Sequence, residues 1–127
     1  AGMEGYRDPF CRRPFPWHDM DERILAHYRK IGTIRRDCAV FRDGLFRILA
    51  LTPDVFAYVR YPADGDGDTV LILANRTEKR EFSLPDGAKS LETGRCCEGT
   101  YELAAYTAEY FVIPAGTELT GETLGIE

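Results

Sequence analysis

The sequence has no hydrophobic run long enough to cross a membrane. Its longest wholly apolar run is Val70–Ala74, far short of the roughly 18 residues that a membrane-spanning helix needs. No basic segment followed by an apolar stretch opens the chain, so no secretion signal is predicted. These absences predict a soluble, cytoplasmic protein without a membrane partner.

Residues that usually build active sites are scarce. The only histidines are His18 and His27, and the four cysteines form neither a disulfide framework nor a paired C-x-x-C zinc motif. No serine or cysteine nucleophile has a local histidine partner, and no glycine-rich phosphate loop is present. The sequence therefore predicts reduced thiols, no metal, no cofactor and no active site in residues 39–127.

The charge is moderate and unevenly distributed. Hydrophobic residues make up 44% and charged residues 29%, a balance typical of a soluble globular chain. The net charge of −5 argues against a nucleic-acid partner. Residues 1–43 carry nine basic and seven acidic side chains, whereas residues 44–127 carry seven and fourteen. The change predicts a boundary between two structural units, residues 1–38 and residues 39–127.

The first unit is predicted to be a loop followed by a helix. Residues 1–18 contain three prolines, which exclude a helix there. Residues 20–38 have helical periodicity, and Asp19 or Asp21 can cap the start of the helix. Apolar side chains at three- and four-residue steps predict one buried face, formed by Ile24, Tyr28, Ile31, Ile34 and Cys38.

From residue 39 onward the period becomes two, which indicates β-strands. Short strands at roughly ten-residue spacing predict a mainly β, antiparallel Greek-key sandwich. The tail, residues 117–127, is predicted to be one more edge strand or disordered. The predicted strands are Leu45–Leu51, Val55–Tyr61, Thr69–Ala74, Glu78–Leu84, Lys89–Thr93, Thr100–Ala104 and Glu109–Ile113.

Three local patterns have alternative interpretations. The run Asp64–Asp68 (DGDGD) resembles a calcium loop but lacks the required glycine and glutamate, so a hairpin turn is favoured. Asn75 begins a glycosylation sequon, which has no meaning in a cytosolic chain. Four aromatic residues could form a sugar-binding platform, although packing within the fold is the commoner role: Tyr101, Tyr106, Tyr110 and Phe111.

The first unit resembles one segment of the α-amylase superfamily, glycoside hydrolase family 13. The run AGMEGYRDPFCRRPFPW followed by the helix DERILAHYRKIGTIRRD is similar to the loop after the eighth barrel strand and to the last barrel helix. The most similar branch contains neopullulanases, cyclomaltodextrinases and maltogenic amylases. The shared elements are Ala1-Gly2-Met3, Asp8-Pro9 and Cys11-Arg12-Arg13-Pro14.

The second unit resembles domain C of these enzymes, an antiparallel Greek-key sandwich. The similar segments are VFAYVRY, TVLILANRT, KREFSLP and LAAYTAEYFVIP. The resemblance implies that residues 1–38 are a remnant of the catalytic barrel and that residues 39–127 are the C-terminal domain. It also implies that the three catalytic carboxylates lie upstream, so this chain alone is predicted to be inactive.

The resemblance further implies that Asp8 and Arg12 bind glucose units of an α-glucan in the intact enzyme. A carboxylate accepts hydrogen bonds from sugar hydroxyls, and a guanidinium donates several. Without the barrel, Asp8 could instead cap a turn and pair with Arg12.

Three hypotheses follow for the chain as a whole. In the first, the sandwich is structural: it packs on the barrel of the same polypeptide and stabilises it, and the isolated chain would self-associate through surface that normally faces the barrel. In the second, it is a carbohydrate-binding module that recognises maltodextrin or starch. In the third, the chain is a complete small protein and its likeness to amylases is coincidental.

Overall fold

The structure is a computed structural model that describes Met3 and residues 5–126. Ala1 and Gly2 of the predicted loop motif, and Glu127 of the tail, lie outside the described residues. The chain divides into two compact units, Ala1–Cys38 and Ala39–Glu127. In the described part the elements are α1 (Glu22–Asp37), α2 (Ala39–Asp43), β1 (Leu45–Leu51), β2 (Val55–Tyr61), β3 (Thr69–Asn75), β4 (Arg80–Leu84), β5 (Lys89–Ser90), β6 (Gly99–Leu103) and β7 (Ala108–Ile113).

Helix α1 begins at a side-chain cap and ends where the backbone becomes extended. The Asp21 carboxylate accepts hydrogen bonds from the backbone N–H groups of Arg23 and Ile24, at 2.9 and 3.3 Å. Asp21, one of the two predicted caps, therefore satisfies two of the free donors of the first turn. At the other end, Cys38 is extended and donates its N–H to the carbonyl of Ile34.

The predicted burial of one face of α1 is not observed. No residue of Glu22–Asp37, all of which the structure describes, is buried, and Tyr28 is largely exposed. A unit of 38 residues, much of it irregular loop, offers too little apolar surface to cover a helix face.

The second unit is an antiparallel β-sandwich, which confirms the predicted mainly β fold. One sheet has five strands in the order β1-β2-β3-β7-β5, and the other pairs β4 with β6. The strands β1, β2 and β3 follow one another as hairpins, while β7 returns to pair with β3 across six residue positions. The strands form because β-branched and aromatic residues alternate between two sheet faces.

The core lies between the two sheets. The core contains every second residue of β2 and of β3, together with apolar residues of the strands that face them. Each of these strands therefore turns one of its two sides toward the core. Its largest fully buried side chains are Phe82, Phe111, Leu71, Leu73, Leu103, Ile113, Leu124, Val55 and Val59.

Two segments differ in type from the sequence prediction, and the strands predicted over Glu78–Leu84 and Lys89–Thr93 are shorter, at Arg80–Leu84 and Lys89–Ser90. Residues 39–43 form the short helix α2 instead of the start of a β pattern, and the helix closes with a hydrogen bond from Gly44 N–H to the Val40 carbonyl, at 3.1 Å. A side chain at Gly44 would meet the carbonyl oxygens of Val40 and Tyr61, which explains the glycine. A five-residue helix is too short to show a helical period in the sequence.

The tail is neither an edge strand nor disordered, so that prediction was wrong. Residues 117–126 fold into turns that place Leu119, Leu124 and Ile126 in the core. The Leu124 carbonyl accepts a hydrogen bond from the Ser83 N–H at 3.1 Å, which ties the tail to β4. Irregular spacing of these apolar residues hid their burial, because neither a period of two nor of 3.6 connects them.

No helix in the described part of the chain has the length and apolar character needed to cross a lipid bilayer.

Candidate functional site

Asp8 and Arg12, the predicted substrate-binding residues, are in direct contact in the loop of the first unit. Arg12 donates from Nε to Asp8 Oδ1 at 3.2 Å and from Nη2 to Oδ2 at 3.1 Å. The backbone brings them together through two tight turns, with hydrogen bonds from Phe10 N–H to the Arg7 carbonyl and from Arg12 N–H to the Pro9 carbonyl. The pair is bidentate and exposed to solvent.

Cys11 joins this pair, which the sequence reasoning missed. Its thiol donates to Asp8 Oδ1 at 2.8 Å. Hydrogen bonds from Cys11 and then Arg12 hold the pKa of the Asp8 carboxyl below its usual value. In return, the contact with Asp8 raises the pKa of the Cys11 thiol. The sequence signal for this contact was the spacing of the three residues. Positions 8, 11 and 12 are three and four residues apart in a turn-rich loop, which places them on the same side of that loop.

Exposed aromatic rings surround the Asp8–Arg12 pair in sequence. Tyr6 meets Phe10 edge to face with centroids 6.4 Å apart, and Phe15 lies 4.8 Å from Trp17. All four rings are substantially exposed in the structure. An apolar surface of this kind indicates a place where further protein or a sugar ring packs.

The four aromatic residues considered for a sugar platform do not share a surface. Phe111 is fully buried in the core, and Tyr101 packs against it edge to face at 4.9 Å. Tyr110, its neighbour on β7, faces the opposite side of the sheet. Tyr106 stands in a turn, 78% exposed and with a positive φ of 54°. Packing within the fold thus accounts for Tyr101 and Phe111.

The acidic run 64–68 lies in the turn that joins β2 to β3, as the hairpin interpretation predicts. Gly65 N–H donates to the Pro62 carbonyl at 3.1 Å, and Asp66 N–H donates to the Asp64 carboxylate at 3.0 Å. Within residues 3 and 5–126, no three metal-ligating side chains are grouped so as to hold an ion.

Asn75 is a structural residue at the end of β3, a role that the sequence did not reveal. Its Nδ2 donates to the carbonyls of Glu78 and Ala104, at 2.8 and 3.1 Å. Its Oδ1 accepts from the N–H and the hydroxyl of Thr77, both at 3.1 Å. The side chain is 2% exposed, so the amide of the sequon is fully used inside the fold.

The five-stranded sheet has a second apolar face, which we call the outer face. It is the side turned away from the core, and strand register places three rows of residues on it. The rows are Phe46, Arg60, Val70, Val112 and Lys89; Ile48, Tyr58, Ile72 and Tyr110; and Leu51, Phe56, Ala74 and Ala108.

The outer face lacks the polar character expected of a sheet exposed to water. Its two charged residues, all of its members being described, are Arg60 and Lys89, and the Arg60 guanidinium donates to the carbonyls of Val40 and Phe41. Phe46 is 48% exposed and Leu51 70% exposed on the edge strand β1. An antiparallel sheet with one solvated face normally alternates apolar and polar residues. The outer face therefore has the composition of a surface that other protein covers.

Sequence comparisons identify relatives of much greater length. No protein-family model matches the chain. It is 26% identical over 117 residues to an amylopullulanase of Thermoanaerobacter thermohydrosulfuricus, an alignment that covers 86% of this chain and 8% of that enzyme. It is 32% identical over 83 residues to a cyclomaltodextrinase of Thermoanaerobacter pseudethanolicus, which covers 64% of this chain and 14% of that enzyme. The chain thus spans a small fraction of the relatives it matches.

Solved structures share the fold. An α-amylase of Geobacillus thermoleovorans, determined with acarbose, superposes with a TM-score of 0.73 over 91% of this chain and 28% of its own, at 23% identity. A cyclic α-maltosyl-(1→6)-maltose hydrolase of Arthrobacter globiformis gives 0.70 over 88% of this chain and 24% of its own, also at 23% identity. The two sequence relatives agree with the resemblance to glycoside hydrolase family 13 found in the sequence, and the solved structures show that the fold is shared with part of two larger enzymes.

Proposed function

We propose that this chain belongs to a longer α-glucan-acting glycosidase, in which residues 39–127 are a structural domain that packs on the catalytic barrel and stabilises it. The intact enzyme would hydrolyse α-1,4 or α-1,6 glucosidic bonds. The names of the amylopullulanase and cyclomaltodextrinase relatives support this substrate class. Their length supports the presence of a catalytic domain elsewhere in the polypeptide, since the matched segment is a small part of each.

The outer face is the single observation that carries the structural role. Its exposed apolar residues, such as Phe46, Ile48 and Leu51, would each be covered in the intact enzyme. Burial of apolar surface is worth about 25 cal/mol per Å², so a sheet face of this size can contribute several kcal/mol to the stability of both partners. We assign the catalytic barrel of the same polypeptide as the occupant, because a covalently linked domain is present at high effective concentration.

Residues 1–38 would be the part of the barrel that ends in its last helix. Glycoside hydrolysis requires two carboxylates held about 5–5.5 Å apart in retaining enzymes and about 6.5–9.5 Å apart in inverting enzymes. The resemblance places the catalytic carboxylates upstream of this chain, so we expect the chain alone to have no hydrolytic activity.

Asp8 and Arg12 would contact the substrate in the intact enzyme. The carboxylate of Asp8 would accept hydrogen bonds from glucose hydroxyls, while the N–H groups of Arg12 not used by Asp8 would donate to sugar oxygens. Their bidentate contact, at 3.1 and 3.2 Å, limits the orientations of both groups before the sugar arrives. Fixing polar groups in advance lowers the entropic cost of binding.

Two measurements on the purified chain test the proposal together. Calorimetric titration with maltoheptaose and with β-cyclodextrin should give no heat of binding, and a hydrolysis assay on the same sample should give no reducing sugar. Any reproducible turnover would contradict the assignment of catalysis to another part of the polypeptide.

A truncation tests the structural role directly. Removing residues 39–127 from the complete polypeptide should yield an insoluble or unstable barrel, because the surface that meets the outer face becomes exposed. A barrel that stays soluble and active after this truncation would contradict the structural role.

The second candidate function is carbohydrate binding by the sandwich. Tyr101 borders a cavity of about 370 Å³ that also includes Arg95 and Glu109, a combination of ring and charged groups that suits a sugar. If this cavity binds maltodextrin, the titration above will show heat, and Tyr101→Ala will abolish it while Tyr106→Ala will not.

A further inference from the structure

The loop that contains Asp8 and Arg12 includes a third side chain whose contact is unusual for its residue type. Free cysteine is among the most buried residue types in proteins and generally packs as a small apolar group. Cys11 is instead exposed, and its thiol lies 2.8 Å from a carboxylate oxygen. The role of its side chain in this loop is therefore polar.

We propose that Cys11 is a positioning residue that orients the Asp8 carboxylate for α-glucan binding. The inference rests on the proposed function of the loop and adds to it a residue that makes no contact with the sugar. It also specifies which carboxylate oxygen the sugar meets.

The hydrogen bonds around Asp8 divide unequally between its two oxygens. Oδ1 accepts from Cys11 Sγ at 2.8 Å and from Arg12 Nε at 3.2 Å, whereas Oδ2 accepts from Arg12 Nη2 at 3.1 Å. A carboxylate offers about four lone-pair positions, or about two for each oxygen. Cys11 therefore fills the second position on Oδ1, and a sugar hydroxyl would donate to Oδ2.

The backbone produces this arrangement without help from other elements. Consecutive turns, closed by Phe10 N–H to the Arg7 carbonyl and Arg12 N–H to the Pro9 carbonyl, bring positions i, i+3 and i+4 to one side. With donors at both i+3 and i+4, rotation of the Asp8 side chain about its last bond is restricted. With only Arg12 present, that restriction would rest on one flexible side chain.

The first test examines the contact in this chain. The charged group that contacts the Cys11 thiol is Asp8, which disfavours the thiolate, and Arg12 is bound to the same carboxylate. We expect Asp8→Asn to accelerate alkylation of Cys11 by iodoacetamide at pH 8 several-fold, because the carboxylate that raises the thiol pKa is removed. Peptide mapping by mass spectrometry separates Cys11 from the exposed Cys96, whose rate should not change. Equal Cys11 rates in the two proteins would overturn the proposal.

The second test examines the role in the complete polypeptide. Cys11→Ala should raise KM for maltodextrin about twofold to tenfold, the range that one net hydrogen bond accounts for, while kcat stays within about twofold. Cys11→Ser keeps a donor at the same place and should restore a KM close to that of the parent. An unchanged KM in Cys11→Ala, or a Cys11→Ser variant as impaired as Cys11→Ala, would overturn the positioning role.

The two tests separate this proposal from the proposed function. If the complete polypeptide acts on no α-glucan, the proposed function is wrong and the role of Cys11 in sugar binding falls with it, whatever the alkylation result. If the polypeptide is active but alkylation and KM are both unaffected, only the role of Cys11 is overturned.

Discussion

Asn75 shows how much of this fold depends on one buried amide. Its four hydrogen bonds join the end of β3 to the segments that follow β3 and β6. We expect Asn75→Ala to lower the free energy of unfolding by about 2–3 kcal/mol, because it removes all four side-chain hydrogen bonds of a buried amide. Urea unfolding followed by circular dichroism measures the change. The exposed position Glu81 on β4 supplies the control, since Glu81→Ala should leave the unfolding midpoint unchanged.

Asn75→Asp separates the loss of donors from the loss of shape. The carboxylate matches the amide in size but turns its oxygens toward the carbonyls of Glu78 and Ala104. It should therefore destabilise the sandwich at least as much as Asn75→Ala does at neutral pH. A fully stable Asn75→Asp variant would contradict the importance given to these bonds.

The contacts of Asp8 should depend on pH in one direction. Its pKa is lowered in the folded loop, first by Cys11 and then by Arg12. The contribution of Asp8 is thus complete above its ordinary pKa of about 4 and is lost as the pH falls through the lowered value. An NMR titration of the Asp8 carboxyl carbon should give a pKa below that of an exposed aspartate, and Arg12→Gln should raise it. A rise in the Asp8 pKa above the ordinary value would contradict the geometry.

At this scale the sequence suggested the contact between Asp8 and Arg12, which the structure shows, but not the contacts of Cys11 and Asn75. Asp8 and Arg12 could be selected because a run of residues around them resembles a known loop. Cys11 and Asn75 could not, because a thiol and an amide take their roles from partners that only the folded backbone brings near. The Thr77 and Glu78 partners of Asn75 are local, but Ala104 is distant in sequence.

At the scale of elements, the strands were predictable and the irregular segments were not. The bounds of β1 and β2 agree with the prediction because alternation and turn residues mark both ends. Helix α1 was predictable from its period and its cap at Asp21. The five residues of α2 and the buried tail were missed, since each is too short or too irregular to have a period.

The tail gives a prediction that distinguishes a structural segment from a disordered end. Leu124 is fully buried among the core residues of the sandwich. Leu124→Ala should therefore lower the free energy of unfolding by about 2–5 kcal/mol, as deletion of a buried leucine side chain usually does. Thermal unfolding checks this, with the exposed Glu122→Ala as the matched control. Equal melting temperatures for the two variants would show that the tail does not pack.

For the whole molecule, the outer face predicts self-association of the isolated chain. Ile48 and Leu51 are exposed on the edge strand, beside the rings of Phe46 and Tyr58. Sedimentation velocity should show a molecular mass that rises with concentration, because association removes this surface from water. The double variant Ile48→Ser, Leu51→Ser should remain monomeric over the same range. A parent chain that is monomeric at every concentration would contradict this expectation.

The two units differ in how well each one buries its own apolar side chains. The sandwich has a core to which its tail contributes, and among the described residues every buried side-chain nitrogen or oxygen has a hydrogen-bond partner. The first unit has an unburied helix and a loop with exposed rings such as Phe10 and Trp17. A surface of this kind is expected for a piece of a larger domain, in agreement with the small share of each relative that the chain matches.

The most direct test of the structural role is the rate of thermal inactivation of the complete polypeptide. Ile48→Asp places a charge on the outer face, and Tyr106→Asp places one at a more exposed aromatic residue outside it. We predict that Ile48→Asp shortens the half-life of glucan hydrolysis at elevated temperature severalfold, with little change in the initial rate, whereas Tyr106→Asp leaves the half-life unchanged. Equal half-lives for the parent enzyme and the Ile48→Asp variant would contradict the proposal that the outer face stabilises the catalytic barrel.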